Sequence, residues 1–378
     1  MLWLACLLLQ DAVLPRGGLD NSRLRFERDR KGHVAFLGGS ITEMNGYRPR
    51  VMDLLKRRFP EAAFQFTDAG IASTCSTTGA FRLEADVLSK GPVDLLFVEF
   101  AVNDDQDAGH TREACVRGME GIVRHARRHN PRADIVITYF LNPEMLETLQ
   151  AGKTPLTIAA HEEVAAHYGL PSVHLAQEVA RRVGAGTLTW KDYGGTHPAK
   201  AGNALAAELI DGLLERAWAR PAEVAPRPLP EPLDPLCYER GRFIDPGQAR
   251  FGPKWTLGVP DWPKIPGNLR DRFKGLPVLE GTLGRTSRDL ILEFEGTAIG
   301  AYVLAGPDAG VAHFYIGDDF EKGERVNFHH RFSKDLHYPR TVMFATGLKP
   351  GKHKLTLGVA GVTYSDGYAL RILKFVVN

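Results

Sequence analysis

Apolar positions follow two different rhythms along the 378 residues. From about residue 31 to 217, short continuous apolar runs alternate with stretches where apolar residues recur every three or four positions. The runs 34–37, 64–66, 93–102, 134–140 and 172–175 predict strands, and the stretches 47–58, 80–88, 112–128, 157–168 and 199–217 predict helices. In 47–58, Val51, Leu54 and Leu55 mark one helix face. The run 93–102 is nearly all apolar, as expected of a strand covered on both sides. This alternation implies a parallel sheet with helices on both faces, a three-layer α/β/α sandwich.

The rhythm changes after residue 217. Residues 220–235 carry Pro221, Pro226, Pro228, Pro230, Pro232 and Pro235, which predict a stiff, extended linker. Beyond it, short alternating runs at 289–294, 298–304, 312–316, 340–344, 353–359 and 368–377 are broken by turns such as Gly306-Pro307-Asp308-Ala309-Gly310 and Ser365-Asp366-Gly367. Such spacing predicts an all-β sandwich of jelly-roll type. The expected division is an N-terminal arm or signal-like segment (1–30), an α/β domain (31–219), the linker (220–235) and a β-sandwich accessory domain (236–378).

Composition narrows the function classes. The formal net charge is +2, with no polybasic run, which argues against nucleic acid or an anionic membrane surface as the main partner. No stretch of 18 apolar residues occurs, so no membrane span is expected. The apolar start, Met1-Leu2-Trp3-Leu4-Ala5-Cys6-Leu7-Leu8-Leu9, resembles a signal core but lacks a basic flank. The compartment, exported or cytoplasmic, stays open, as does the oligomeric state. Cys6, Cys75, Cys115 and Cys237 are scattered without a C-x-x-C pair, so the spacing suggests neither a zinc site nor a redox motif. His125 and His129 stand at i, i+4, but Arg124, Arg127 and Arg128 around them disfavour a cation, and a solvated helix face is expected.

Four strand-end segments carry candidate chemistry. Gly38-Gly39-Ser40-Ile41-Thr42 closes the first strand with a tight turn that exposes a hydroxyl. A serine hydroxyl needs a base to become a nucleophile. Asp68-Ala69-Gly70-Ile71-Ala72-Ser73-Thr74 is a loop of small residues able to present a backbone N–H. Asn103 ends the buried strand, where its amide can donate to a developing oxyanion. In Asp192-Tyr193-Gly194-Gly195-Thr196-His197-Pro198, a histidine that can serve as general base follows an aspartate. Glu99, inside the apolar strand, needs a partner, for which Arg48 and Arg82 are candidates. Asp104 and Asp105 read as turn and capping groups.

The order and strand-end placement of these four segments resemble the four blocks of the SGNH hydrolase (GDSL-like esterase) superfamily, over roughly residues 31–217. The Gly-Gly-Ser-Ile-Thr form resembles the branch found among carbohydrate O-acetyl esterases. The resemblance implies Ser40 as nucleophile, His197 as base and Asp192 as its orienting acid. It implies an oxyanion hole from the N–H of Ser40, an N–H at Ser73 or Gly70, and the Asn103 amide. Two departures stand out. Ser73 stands where the resemblance expects the family's glycine, and Asp192 lies five residues before the histidine, where the family commonly places its aspartate three before. A Ser-His dyad is the alternative if Asp192 does not reach. The implied activity is hydrolysis of a small acyl ester, most plausibly acetyl, on a glycan, with no metal or organic cofactor. Rival readings are a lipid or thioester acylhydrolase of the same fold and a non-hydrolytic carbohydrate-binding protein.

Overall fold

The structure is a computed structural model that describes residues 12–219, 223–283 and 290–378. The apolar start, Pro221 and Asp289 lie outside the described residues. The chain divides into two compact units, one ending at Glu239 and the other beginning at Arg240.

The first unit contains, in chain order, β1 (Val13–Leu14), α1 (Asp20–Arg28), β2 (Lys31–Gly38), α2 (Ser40–Glu43), α3 (Tyr47–Arg58), β3 (Ala63–Gly70), α4 (Ser76–Asp86), β4 (Leu95–Glu99), α5 (Arg112–His129), β5 (Asp134–Thr138), α6 (Pro143–Gln150), α7 (Leu156–His167), β6 (Ser172–Val173), α8 (Leu175–Gly184), α9 (Trp190–Tyr193) and α10 (Lys200–Trp218). The sheet order is β1-β6-β5-β4-β2-β3. Strands β2 to β6 pair in parallel, and β1 adds an antiparallel edge. The core is the stripe the sequence pattern marks: β2, β4 and β5 are buried almost end to end, with Phe36 and Phe97 stacked at 5.0 Å between centroids. Helix α3 buries Val51, Leu54 and Leu55 and ends on Lys56, Arg57 and Arg58, which complement the negative end of its dipole. The expected strand 93–102 stops at Glu99, because residues 103–107 wind into a π-helical turn in which Ala108 N–H donates to the Asn103 carbonyl at 2.9 Å.

The proline-rich segment is held against α5. Arg124 donates to the Pro230 carbonyl (2.6 Å) and Arg127 to that of Pro228 (2.7 Å), while Glu120 accepts the N–H groups of Leu233 and Asp234. Prolines supply acceptors without donors, so buried guanidinium groups are suitable partners. Arg124 and Arg127 are therefore buried, and the expected solvated face around His125 is restricted to Arg128 and His129.

The second unit holds β7 (Arg242–Ile244), β8 (Trp255–Gly258), β9 (Val278–Gly281), β10 (Leu290–Glu295), β11 (Ile299–Ala305), β12 (Val311–Ile316), β13 (Glu324–Asn327), β14 (Tyr338–Ala345), β15 (Lys352–Val359) and β16 (Leu370–Val377). They form antiparallel sheets of order β10-β15-β12-β13 and β14-β11-β16-β9-β8, with β7 also on β16. Inward residues of both sheets, including Leu292, Phe314, Leu355, Val303, Val342 and Phe375, share one core, which makes this unit a β sandwich.

Candidate active site at the sheet's carboxyl edge

Strand β2 ends in two glycines because nothing larger fits. A Cβ on Gly38 would lie 2.3 Å from Thr42 Oγ1 and 2.4 Å from Glu99 Oε1, and one on Gly39 would lie 2.0 Å from Asn103 Oδ1. The chain therefore passes directly over Glu99 and Asn103 before Ser40 opens α2. As the first residue of a helical turn, Ser40 has a backbone N–H with no intrahelical acceptor. Its Oγ lies 2.8 Å from Nε2 of His197, 157 residues further along the chain. The histidine loop is fixed by the Ala199 N–H on the Tyr193 carbonyl (2.7 Å) and by the Asn203 amide on the Pro198 carbonyl. Ser40 is half-buried and His197 exposed, so the pair faces solvent.

Beneath the turn, Glu99 is 1 % exposed. Its Oε1 accepts from Gly39 N–H (3.0 Å), Thr42 N–H (3.2 Å) and the Thr42 hydroxyl (2.7 Å), which in turn accepts from Tyr47. Burial pushes its carboxyl up to about 7, against those hydrogen bonds. The expected ion pair with Arg48 or Arg82 is not how Glu99 is satisfied. Arg48 pairs with Asp68 (2.7 Å). Arg82, fully buried, donates to the carbonyls of Gly38 (2.9 Å) and Ala69 (2.7 Å) and so ties together the ends of β2 and β3. Strand-end carbonyls near a turn lose ladder partners, and a guanidinium fork serves two at once. The signal in the sequence is a lone charge between apolar Phe81 and Leu83.

The neighbouring loop is pinned to the same turn. Ile71 N–H donates to the Gly38 carbonyl (3.0 Å) and Ala72 N–H to Glu43 Oε2 (2.9 Å). Ser73 takes φ +71°, a left-handed conformation that disfavours side chains. That explains why the resemblance expects glycine there. Gly70 donates its N–H to Asp68 Oδ1 at 3.0 Å, which commits that donor within the loop. Asn103, buried against Gly39, spends one amide hydrogen on Asp107 (2.5 Å), leaving a second on Nδ2. Glu43 and Asp107 are positioning groups that the sequence pattern did not single out.

Asp192 lies elsewhere than the resemblance expects. Its carboxylate accepts from the Thr189 hydroxyl at 2.6 Å, and its N–H donates back to Thr189 Oγ1 at 3.0 Å. This reciprocal cap turns the side chain toward the start of α9, and the left-handed Gly194 and Gly195 then carry the chain away to His197. Among the described residues, no hydrogen bond or ion pair joins Asp192 to His197.

Asp104 is no surface turn group but the centre of a buried cluster. Its oxygens accept from Ser76 N–H (2.7 Å), Ser76 Oγ (2.6 Å) and His161 Nε2 (2.8 Å), with His110 Nδ1 at 3.4 Å. Despite burial, the two imidazoles and these hydrogen bonds hold its carboxyl well below the usual range, and Asp104 in turn raises His161 to about 9 against burial.

A parallel α/β/α sandwich with a serine–histidine pair over its carboxyl edge is the architecture of an acyl hydrolase. Residues 36–205 match the family model of the GDSL-like Lipase/Acylhydrolase family, and this part of the chain is a domain of that family, with the SGNH fold. No curated protein sequence matches the chain. Over its full length the chain is similar to the crystal structure of a two-domain esterase active on acetylated mannans. With mannopentaose, the TM-score is 0.79 at 22% identity, covering 98% of this chain and 97% of that one. Without the oligosaccharide, the TM-score is 0.76 at 22% identity, covering 98% of each chain. A variant of an acetyl xylan esterase from Geobacillus stearothermophilus matches 49% of this chain and 96% of its own, at 18% identity and a TM-score of 0.38.

Proposed function

We propose that the protein is a serine esterase that removes small acyl groups, foremost acetyl, from the hydroxyls of a glycan. The observation that carries this is the 2.8 Å contact between Ser40 Oγ and His197 Nε2 at a turn built to hold it. His197 takes the hydroxyl proton as Ser40 attacks the ester carbonyl. The oxyanion is received by the N–H of Ser40, the N–H of the left-handed Ser73 and the second amide hydrogen of Asn103. His197 then protonates the departing sugar oxygen, leaving acetyl-Ser40. A water deprotonated by the same imidazole releases acetate and restores the serine. With Asp192 held by Thr189, the arrangement favours a Ser-His dyad over a triad. Gly70, its N–H committed to Asp68, is the weaker oxyanion candidate. The glycan assignment draws on the two-domain esterase with which this chain shares its fold throughout, a protein active on acetylated mannans.

Ser40→Ala should lower turnover of p-nitrophenyl acetate by about 10⁴-fold or more with an unchanged thermal midpoint. A fluorophosphonate probe should label the wild type and not the variant. Acetate release from a panel of acetylated glycans, mannan and xylan among them, then defines the substrate. Retained turnover or labelling in the variant refutes the assignment.

A further inference from the structure

Behind Asn103, three side chains outside the acyl-transfer scheme stand in the order of an activated nucleophile. The sulfur of Cys75, a ring nitrogen of His110 and a carboxylate oxygen of Asp104 all lie within 4.8 Å of one another. They come from the N-cap of α4, the loop before α5 and the π-helical turn. His110 Nδ1 is 3.4 Å from Asp104 Oδ1, and the His110 backbone N–H donates to the Asp104 carbonyl at 2.8 Å, which fixes the loop on that turn. A carboxylate thus faces an imidazole, and the imidazole faces a thiol. That order converts a cysteine into a thiolate paired with imidazolium.

Placement singles out Cys75 among the cysteines of this region. It takes the N-cap of α4 with an extended backbone (φ −98°, ψ 177°), where a negative charge meets the positive end of an 11-residue helix. Its sulfur is 3.7 Å from the Thr78 hydroxyl, a further donor. Cys115, inside α5, is fully buried, whereas Cys75 keeps 7 % of its surface and His110 is half-buried. The titratable groups around Cys75 are His110 and Asp104, with His161 and Cys115 on the other side of Asp104 and Tyr238 on the segment packed against α4. Burial opposes ionisation of Cys75, but the charged His110 outweighs both burial and the repulsion of Asp104, and brings the thiol below its ordinary value.

We propose that Cys75 is a modification site, a thiol activated by His110 and Asp104 that takes an oxygen atom from hydrogen peroxide. The sulfur attacks one peroxide oxygen, an S–O bond forms as the O–O bond breaks, and the leaving hydroxide takes a proton from the His110 imidazolium. Sulfur is oxidised by two electrons, the peroxide is reduced to water, and Cys75 becomes a sulfenic acid. So little exposed surface suits a peroxide better than a bulky oxidant. The added oxygen stands two residues from Ser73, whose φ of +71° leaves the loop little freedom to absorb it. Oxidation therefore shifts the Ser73 N–H and slows the esterase, a consequence that rests on the function proposed above, as the modification itself does not.

The test treats the full chain with hydrogen peroxide and dimedone, a trap for sulfenic acid, and maps adducts by peptide mass spectrometry. An adduct at Cys75 and none at Cys115 or Cys237 is expected. The rate at which peroxide alone oxidises Cys75 should differ by less than about threefold between pH 6 and pH 8, whereas an unassisted thiol, with a pKa of about 8.5, would slow about 80-fold at the lower pH. His110→Asn should restore that steep dependence. Peroxide should lower wild-type turnover of p-nitrophenyl acetate by about tenfold or more, dithiothreitol should restore it, and Cys75→Ser should resist the treatment. If either variant fails to fold, the adduct map and pH profile of the wild type decide. No adduct at Cys75, or a rate that falls with pH as an unassisted thiol's does, overturns the proposal. Unchanged turnover in fully oxidised, active enzyme overturns the coupling to Ser73. An adduct at Cys75 in a chain with no esterase activity before treatment supports the modification and refutes the esterase reading instead.

Discussion

Two carboxylates five residues apart, Glu99 and Asp104, flank Asn103, are equally buried and behave in opposite ways. Glu99 has three donors on one oxygen, none on the other and no cation in contact, so its carboxyl is pushed up to about 7. Asp104 has both oxygens satisfied and two imidazoles beside it, so its carboxyl stays well below the usual range. Burial alone does not set the charge of a core carboxylate; the partners do. The difference matches position. Glu99 lies under the turn that carries Ser40 and accepts that turn's own N–H groups. Asp104 lies between His161 of α7 and His110 of the loop that leads into α5.

Asn103 connects the two regions, and among the residues that compare them its removal should have the largest effect. Asn103→Ala should lower kcat for p-nitrophenyl acetate by about 10²–10³-fold with little change in KM, the cost of one oxyanion donor. An equal loss in both parameters' ratio with unchanged kcat would place the amide in ground-state binding instead. Next, Glu99→Ala should displace the serine turn and lower kcat by about 10²-fold, as small misplacements do, while Glu99→Gln, which keeps the accepting oxygen, should lose much less. The same glutamate makes a pH prediction. Its folded-state carboxyl binds a proton more tightly than the ordinary value of 4.5, so its stabilising contribution is full below about pH 4.5 and falls as pH rises to about 7. The loss is on the order of 3 kcal/mol and is constant above that range. Urea unfolding at pH 5 and pH 8 should show this fall in wild type, and the fall should shrink in Glu99→Gln. The smallest effect concerns a third, exposed carboxylate. Asp192→Asn should change kcat by less than about fivefold, the scale of exposed polar contacts, whereas His197→Ala should abolish turnover. A loss in Asp192→Asn as large as that of His197→Ala would restore the triad.

The strand and helix pattern between residues 31 and 217, the alternating runs of the second unit and the residues Ser40, Asn103 and His197 were legible because each is local. A buried strand, an amphipathic helix or a strand-end turn is written in neighbouring side chains. The departures all come from long-range partners. Helix α1 and strand β1 carry weak local patterns and form against Asp134 and β6. Arg82, marked in the sequence only as a charge between apolar neighbours, ties two strand ends that lie far from it in the chain. Thr189 captures Asp192 through a local cap that competes with the expected histidine contact. Sequence by itself thus determined the layers, the strand-end placement of the candidate segments and which hydroxyl and imidazole are the candidates for the proposed chemistry. Tertiary structure alone decided which buried carboxylate meets which donor, because satisfying a polar group in the core depends on atoms brought together from distant parts of the chain.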